Sequence, residues 1–222
     1  MESSSGSINY LRVEYAGAIA ENGKNFDAVS FYGVGAFTNI TNVQTFESLG
    51  NGIRFIGGNA DAEQLAVTQS GGSSVVVQDD WSGNGESWYL TGGIKSGIEI
   101  TSIAPESLIL QEIDTISKVS VIGPTLDGAI RYADEGGSYL LTNIFTKNLS
   151  LGVNVEGATA SEQVDMGNLR IDSIQFSDPT NDFIPTNYTG PNSNFYMESA
   201  NNGAGSQDQK PEWANGWTVG LD

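Results

Sequence analysis

Short segments in which apolar and polar side chains alternate recur along the chain. In Asn39–Gly58, one such run carries Val43 and Thr45 on one side, and a second run carries Ile53 and Phe55. A Gly-Asn-Gly turn separates the two runs. Because a side-chain period of two predicts a β-strand, this unit is interpreted as one coil that contains two strands.

Equivalent pairs of inward-facing residues occur before and after this unit. The first-strand pairs begin at residues 11, 43, 65, 88, 119, 144 and 169, so most neighbouring coils start 22–25 residues apart. Such a repeat, whose coils bury their inner faces only by stacking, is typical of a solenoid. The predicted inward pairs are, in chain order, Leu11 and Val13 with Val29 and Phe31; Val43 and Thr45 with Ile53 and Phe55; Leu65 and Val67 with Val75 and Val77; Trp88 and Leu90 with Ile98 and Ile100; Val119 and Val121 with Ile130 and Tyr132; Ile144 and Thr146 with Val153 and Val155; and Leu169 and Ile171, followed soon by Ile174 and Phe176.

The chain is therefore predicted to be all-β, with a right-handed parallel β-helix of about seven coils over residues 1–177. An antiparallel β-sandwich, which also has many short strands, is the alternative. Two longer spacings predict insertions near residues 15–28 and 101–118, the second of them an extra strand or a short helix. Residues 178–222 are rich in Pro, Asn and Gly and carry scattered aromatic residues. They are predicted to form an irregular aromatic cap over the last coil, because an open solenoid end invites aggregation.

The charge and the residue types that are absent limit the chemistry of the protein. The formal net charge is -18, which argues against nucleic acid and anionic lipid as partners. The sequence contains no run near the roughly 20 apolar residues of a membrane span, so no membrane insertion is expected. It contains neither His nor Cys, which excludes a Ser-His-Asp triad and a cysteine nucleophile.

One turn gathers the residue types of a binding site. Its acidic and amide side chains are candidate ligands for calcium, which binds six to eight oxygen atoms. These candidates are Asp79, Asp80, Asn84 and Glu86. Trp81 and Tyr89 flank the turn and are the candidates for stacking on a glycan, provided that their rings are exposed. Calcium is thus a candidate cofactor, and no cofactor is predicted to be required.

Several segments resemble a known class of proteins. INYLRVEYAG at Ile8–Gly17, followed by FDAVSFYGVG, ITNVQTF, GNGIRFIGG and the late PEWANGWTVGL, is similar to secreted bacterial right-handed parallel β-helix proteins of the pectate-lyase-like kind. The resemblance implies a secreted or surface location and, for most members, no assigned activity. The N-terminus carries no signal segment, so the chain is interpreted as a mature form or a fragment.

These observations favour a non-catalytic extracellular or cell-surface structural or binding module, with an extracellular glycan or a neighbouring copy of the protein as the candidate partner. A polysaccharide lyase or glycoside hydrolase is the enzymatic alternative, with Asp79, Asp80 and Glu86 as its best carboxylate cluster. A third alternative is a self-assembling extracellular protein. In that case a neighbouring copy contacts the open N-terminal coil at Leu11 and Val13.

Overall fold

Parallel strands stack into two sheets, and the two sheets together form a right-handed parallel β-helix. The computed structural model describes residues 3–21, 23–103, 113–134 and 136–221. Strands alternate between the sheets along the chain, so odd-numbered strands form the first sheet and even-numbered strands form the second. The first sheet contains β1 (Ser7–Glu14), β3 (Asn39–Ser48), β5 (Ala62–Ser70), β7 (Gly85–Thr91), β9 (Asp114–Ile122), β11 (Tyr139–Lys147), β13 (Leu169–Ser177) and β15 (Tyr196–Glu198). The second contains β2 (Val29–Val34), β4 (Ile53–Gly58), β6 (Val75–Gln78), β8 (Ile98–Thr101), β10 (Ile130–Ala133), β12 (Leu151–Glu156) and β14 (Ile184–Thr186).

The observed register confirms the predicted inward pairs of the first six coils. In the first sheet, one column of stacked residues comprises Leu11, Val43, Leu65, Trp88, Val119, Ile144 and Ile174. In the second sheet, one column comprises Phe31, Phe55, Val77, Ile100, Tyr132 and Val155. The periodicity identified these positions because each strand buries alternate side chains.

The seventh coil differs from the prediction. Leu169, Ile171, Ile174 and Phe176 all lie in β13, so they do not form two successive strands. The second strand of this coil is β14, and β15 opens an eighth turn of the first sheet. The prediction that the repeat ends at Ser177 is therefore wrong for these two short strands.

A bend inside most strands of the first sheet explains this error. In each bent strand, the residue just before the inward pair that the sequence predicted has a positive φ. These residues are Tyr10, Asn42, Gln64, Ser87, Lys118 and Asn143. Positive φ is uncommon for residues other than glycine, and the bend interrupts the simple alternation. Leu169 and Ile171 lie before the equivalent point of β13, where they pair with Tyr139 and Leu141.

The core is a continuous apolar column between the sheets, with an aromatic stack near its N-terminal end. The Phe55 ring lies 5.1 Å from Phe31 and 4.8 Å from Trp81, measured between ring centroids. Trp88 stacks on Phe55 at 6.3 Å, which confirms its predicted inward orientation. Helix α1 (Ala158–Met166) lies between β12 and β13 and adds Ala160 and Val164 to the core.

The first predicted insertion interrupts the repeat, and most of the second lies outside the described residues. In the described part of residues 15–28, Ile19 and Asn25 form an antiparallel bridge outside the two sheets. In the second insertion, residues 114–118 belong to β9. Residues 104–112 lie outside the described residues, as do Asn22 and Glu135.

The C-terminal segment has two parts, and only the first covers the last coil. Tyr188, Phe195 and Tyr196 pack together and against the core, as an aromatic cap should. Residues 199–221, here called the strap, instead turn back along the outer face of the first sheet. The predicted position of Trp213 and Trp217 over the last coil is therefore wrong, because the strap carries both towards the first coil.

Specific hydrogen bonds fix the strap to successive strands. The Asn201 amide donates to the Ile144 carbonyl (3.0 Å), and the Ala204 N–H donates to Ser120 Oγ (3.0 Å). Near the other end, Gln44 both donates to the Val219 carbonyl (2.7 Å) and accepts from its N–H (2.9 Å). The strap thus bridges strands from β11 to β3.

Candidate functional site

Trp81 is not the exposed ring that glycan stacking requires. Its side chain is 1% exposed and lies in the core against Phe55 and Trp88. The indole N–H donates to the Ala60 carbonyl at 3.1 Å. The prediction that Trp81 presents a surface for a sugar is therefore wrong, because the chain turns inward at this residue.

Tyr89 points away from the core as its alternation predicts, yet the strap covers it. Its side chain is 6% exposed, and its hydroxyl donates to the Asp208 carbonyl at 2.6 Å. Ala66, Ala204, Ala214 and Leu221 pack around it. Tyr89 therefore anchors the strap and presents no open ring for a glycan.

The titration of Tyr89 should make folding sensitive to alkaline pH. Burial, together with the nearby charge of Asp208, raises the pKa of Tyr89 from 10.0 to about 12. The neutral phenol is favoured in the folded state, so this contribution is fully present below pH 10 and disappears as pH rises through about 12. We expect the free energy of unfolding, measured by urea titration, to fall over this interval.

Tyr89→Phe should reduce this alkaline loss, and the exposed Tyr32→Phe serves as the control. Tyr89→Phe removes the ionisable group at the cost of one hydrogen bond to the strap, so some stability is lost at neutral pH. An alkaline loss of the same size in Tyr89→Phe and in the wild type would contradict the assignment.

Three of the four calcium candidates, Asp79, Asn84 and Glu86, are engaged with different partners. Asp79 Oδ1 accepts from the Ile103 N–H (2.8 Å) and from Ser102 Oγ (3.2 Å). Asn84 donates from its backbone and its amide to Asp61 Oδ1. Glu86 forms an ion pair with Lys118. Within the described ranges, no group of three or more acidic side chains is arranged to hold a metal ion. Calcium binding by Asp79, Asp80, Asn84 and Glu86 remains an untested prediction.

Leu11 and Val13 lie at the N-terminal end of the stack. Both are half-buried, and Leu11 packs against the core. Among the described strands, β1 pairs only with β3, and β2 pairs only with β4. Self-association through this end also remains a prediction.

The four arginines of the chain are all paired with carboxylates. Arg54 binds Asp27 at 2.6 Å, and Arg131 binds Glu99 at 2.8 Å and Glu156 at 2.7 Å. Arg12 and Arg170 pair with acids two residues further along their strands, Glu14 and Asp172. A guanidinium group held in an ion pair with a carboxylate is suited to a structural or positioning role and poorly suited to accepting a proton.

An aromatic site that the sequence did not predict lies where the strap meets β1. The Tyr10 ring is 5.7 Å from the Trp217 ring and nearly perpendicular to it, and the Trp217 ring is 6.3 Å from the Trp213 ring. Tyr10 is 64% exposed, and both indoles are half-buried. Tyr10, Trp217 and Trp213 are here called the aromatic row.

Backbone contacts hold the aromatic row and leave ring surface accessible. The Trp213 N–H donates to the Ala204 carbonyl (3.2 Å), and the Trp217 N–H donates to the Trp213 carbonyl (2.7 Å). Arg12 donates to the Trp217 carbonyl at 3.0 Å while also binding Glu14 at 2.6 Å. A fixed cation–carboxylate pair therefore borders the aromatic row.

The sequence did contain one signal for this site. Two tryptophans in EWANGW are unusual in a segment otherwise rich in Asn and Gly. Their position next to Tyr10 depends on a contact between residues more than 200 positions apart, as in the Arg12–Trp217 hydrogen bond. A local sequence pattern cannot predict a contact between residues so far apart.

Comparison with known protein families gives one match. A family model described as a pectate-lyase-like β-helix domain matches residues 1–218. The chain belongs to this family. No curated protein and no solved structure matches it.

Membership of the pectate-lyase-like family agrees with the parallel sheets described above and suggests a carbohydrate-related role at family level. In the parts of the chain that the structure describes, no helix combines the length and the apolar character that a membrane crossing requires. Neither finding distinguishes a binding module from an enzyme within the family.

Proposed function

We propose that the protein is an extracellular, non-catalytic module that binds neutral glycans at the aromatic row. The observation that carries this proposal is the exposed ring of Tyr10 next to the half-buried rings of Trp217 and Trp213, beside the Arg12–Glu14 pair. Aromatic rings contact the apolar C–H faces of a sugar, and neighbouring charged groups bond its hydroxyls.

The charge of the protein favours a neutral ligand. With a net charge of -18, the surface repels polyuronates, particularly at low ionic strength. Arg12, the cation that borders the aromatic row, is already paired with Glu14. Neutral glucans and xylans avoid this repulsion and still offer hydroxyl groups to Arg12 and Glu14.

A carbohydrate-active enzyme remains the second candidate, supported by the family match. A lyase of this shape needs a basic group that accepts a proton. The ion-paired arginines are poorly suited to that role. We therefore expect no turnover of plant or algal polysaccharides, with or without calcium. Turnover that persists through repurification and disappears in Asp80→Ala would overturn the non-catalytic proposal.

Removing the central ring should weaken glycan binding strongly. Trp217 lies between Tyr10 and Trp213, so Trp217→Ala interrupts the aromatic row at its centre. Central aromatic residues at interfaces often contribute 2 kcal/mol or more, which corresponds to a loss of affinity of roughly thirtyfold. Binding to a glycan array, followed by calorimetry on the selected neutral glycan, measures this change.

Tyr32→Ala is the matched control for this experiment. Tyr32 is an exposed aromatic residue of the same first coil but lies in the second sheet. Its removal should leave the affinity unchanged. Equal affinity in the wild type and Trp217→Ala, with both proteins folded, would place the glycan elsewhere.

A further inference from the structure

A groove of about 580 Å³ lies at the corner where the first sheet turns towards the second. We call it the corner groove; it is lined by Glu47, Ser48, Leu49, Gln69, Gly71, Gly92 and Ile94. Two of the lining side chains, Leu49 and Ile94, are apolar and about half exposed, at 56% and 53%. Gly71 and Gly92 contribute no side chain that would fill the space between them.

A column of equivalent residues supplies the polar side of the corner groove. The Tyr15 N–H donates to the Phe46 carbonyl at 2.9 Å, which places Tyr15 beside Glu47. The pairs Phe46 with Thr68 and Thr68 with Thr91 then place Glu47 beside Gln69, and Gln69 beside Gly92. Parallel strands repeat at about 4.8 Å, so the column presents a ring, a carboxylate and an amide at regular steps.

The backbone makes these polar groups available. Glu47 and Gln69 have φ of 50° and 56°, and both are exposed. Within the described ranges, neither side chain has a hydrogen-bond partner. A carboxylate accepts hydrogen bonds from hydroxyls, and an amide both donates and accepts them. Together with apolar walls, this is the lining of a site for a polyhydroxylated, uncharged chain.

The corner groove is also connected to the aromatic row. Tyr15 is 69% exposed and meets the Phe46 ring edge to face at 5.7 Å. The strap reaches the same ring, because a side chain at Gly220 would meet Phe46 at 2.3 Å. Gly220 is only three residues after Trp217, so the strap end, Phe46 and Tyr15 form a path between the two surfaces.

We propose that the corner groove is a second subsite for the same glycan, occupied only by chains long enough to extend past Tyr15 from the aromatic row. This inference rests on the proposed function and specifies its ligand as a neutral oligosaccharide chain. Glu47 and Gln69 bond its hydroxyls, while Leu49 and Ile94 contact its C–H faces. The exposed Glu47 carboxylate disfavours a uronate at this position.

The test compares chain lengths by calorimetry, with cello-, xylo- and malto-oligosaccharides supplied as disaccharides and hexasaccharides. We expect the hexasaccharide of the preferred series to bind at least tenfold more tightly than its disaccharide. The double variant Glu47→Gly with Gln69→Gly should remove this gain and leave disaccharide affinity unchanged. Glycine tolerates positive φ, so the variant keeps the backbone conformation. Glu63→Ala, an exposed acid on the same strand as Gln69, is the control.

The outcomes separate this inference from the proposed function. If Trp217→Ala loses all binding and the wild type binds both chain lengths with equal affinity, the aromatic row is retained and the second subsite is overturned. A length-dependent gain that survives the double variant also overturns it. Binding of none of these oligosaccharides at either length contradicts both proposals.

Discussion

We expect Phe55→Asp to unfold the solenoid under conditions in which the wild type is fully folded. Phe55 is 1% exposed and contacts three other aromatic residues in the core. Truncation of a buried phenylalanine to alanine usually costs about 3–5 kcal/mol, against a total stability of about 5–15 kcal/mol. A carboxylate at the same position adds the cost of an unpaired buried charge.

Circular dichroism and urea titration measure this effect, with Tyr32→Asp as the matched control. Tyr32 follows Phe31 in β2 and pairs with Ile56, the residue after Phe55, but its side chain is 69% exposed. A carboxylate there should change the free energy of unfolding little. A folded Phe55→Asp protein with a wild-type melting temperature would contradict the placement of Phe55 in a buried aromatic stack. Phe55→Ala provides the intermediate case, destabilised but folded.

The repeat allowed most of the solenoid to be predicted from the sequence. Each coil buries side chains at alternate positions, and stacking forces equivalent positions of successive coils into contact, so pairs such as Val43 with Leu65 are visible as spacing alone. The error in the seventh coil has a physical cause. Leu169 and Ile171 precede the bend of their strand, and an alternating pattern on either side of a bend looks like two strands.

The candidate site was less predictable than the fold. Trp81 follows two acidic residues, which made an exposed turn the natural interpretation, yet its ring fills the core beside Phe55. Asp79 and Asp80 both have positive φ, so the backbone at this turn takes a course that the alternation does not indicate. The aromatic row depends on the strap, whose path no repeat encodes.

The strap links packing on the outer face of the first sheet to the proposed binding site. Trp217 reaches Tyr10, and Trp213 lies beside Trp217, only because residues 199–221 lie along the first sheet. Asp208 contributes through its contacts with Tyr89 and Lys147, at 2.6 and 2.5 Å. Gly203 allows close approach, since a side chain there would meet Ser120 Oγ at 2.4 Å. Detaching the strap should therefore dismantle the aromatic row without disturbing the inward-facing core.

We expect Ala66→Arg to detach the strap while the solenoid stays folded. Ala66 is fully buried on the outer face of β5 and packs with Ala214 and Leu221 beneath the strap. An arginine cannot fit there without moving the strap, and once the strap moves, water solvates the guanidinium group. Hydrogen exchange should accelerate at the Val219 and Ala204 amides, which bond Gln44 and Ser120. Glycan affinity should fall as far as in Trp217→Ala.

Glu63→Arg tests whether this effect is specific to the covered face. Glu63 lies three residues earlier in β5 and is exposed, so the same new charge should leave exchange and glycan affinity as in the wild type. In Ala66→Arg, amides of the core strands, such as Val67 and Val77, should retain their protection, because the parallel ladders that contain them do not depend on the strap. Unchanged exchange at Val219 would mean that the strap does not depend on this contact. Equal loss of protection in the strap and the core would mean that the strap and the coils unfold as one unit.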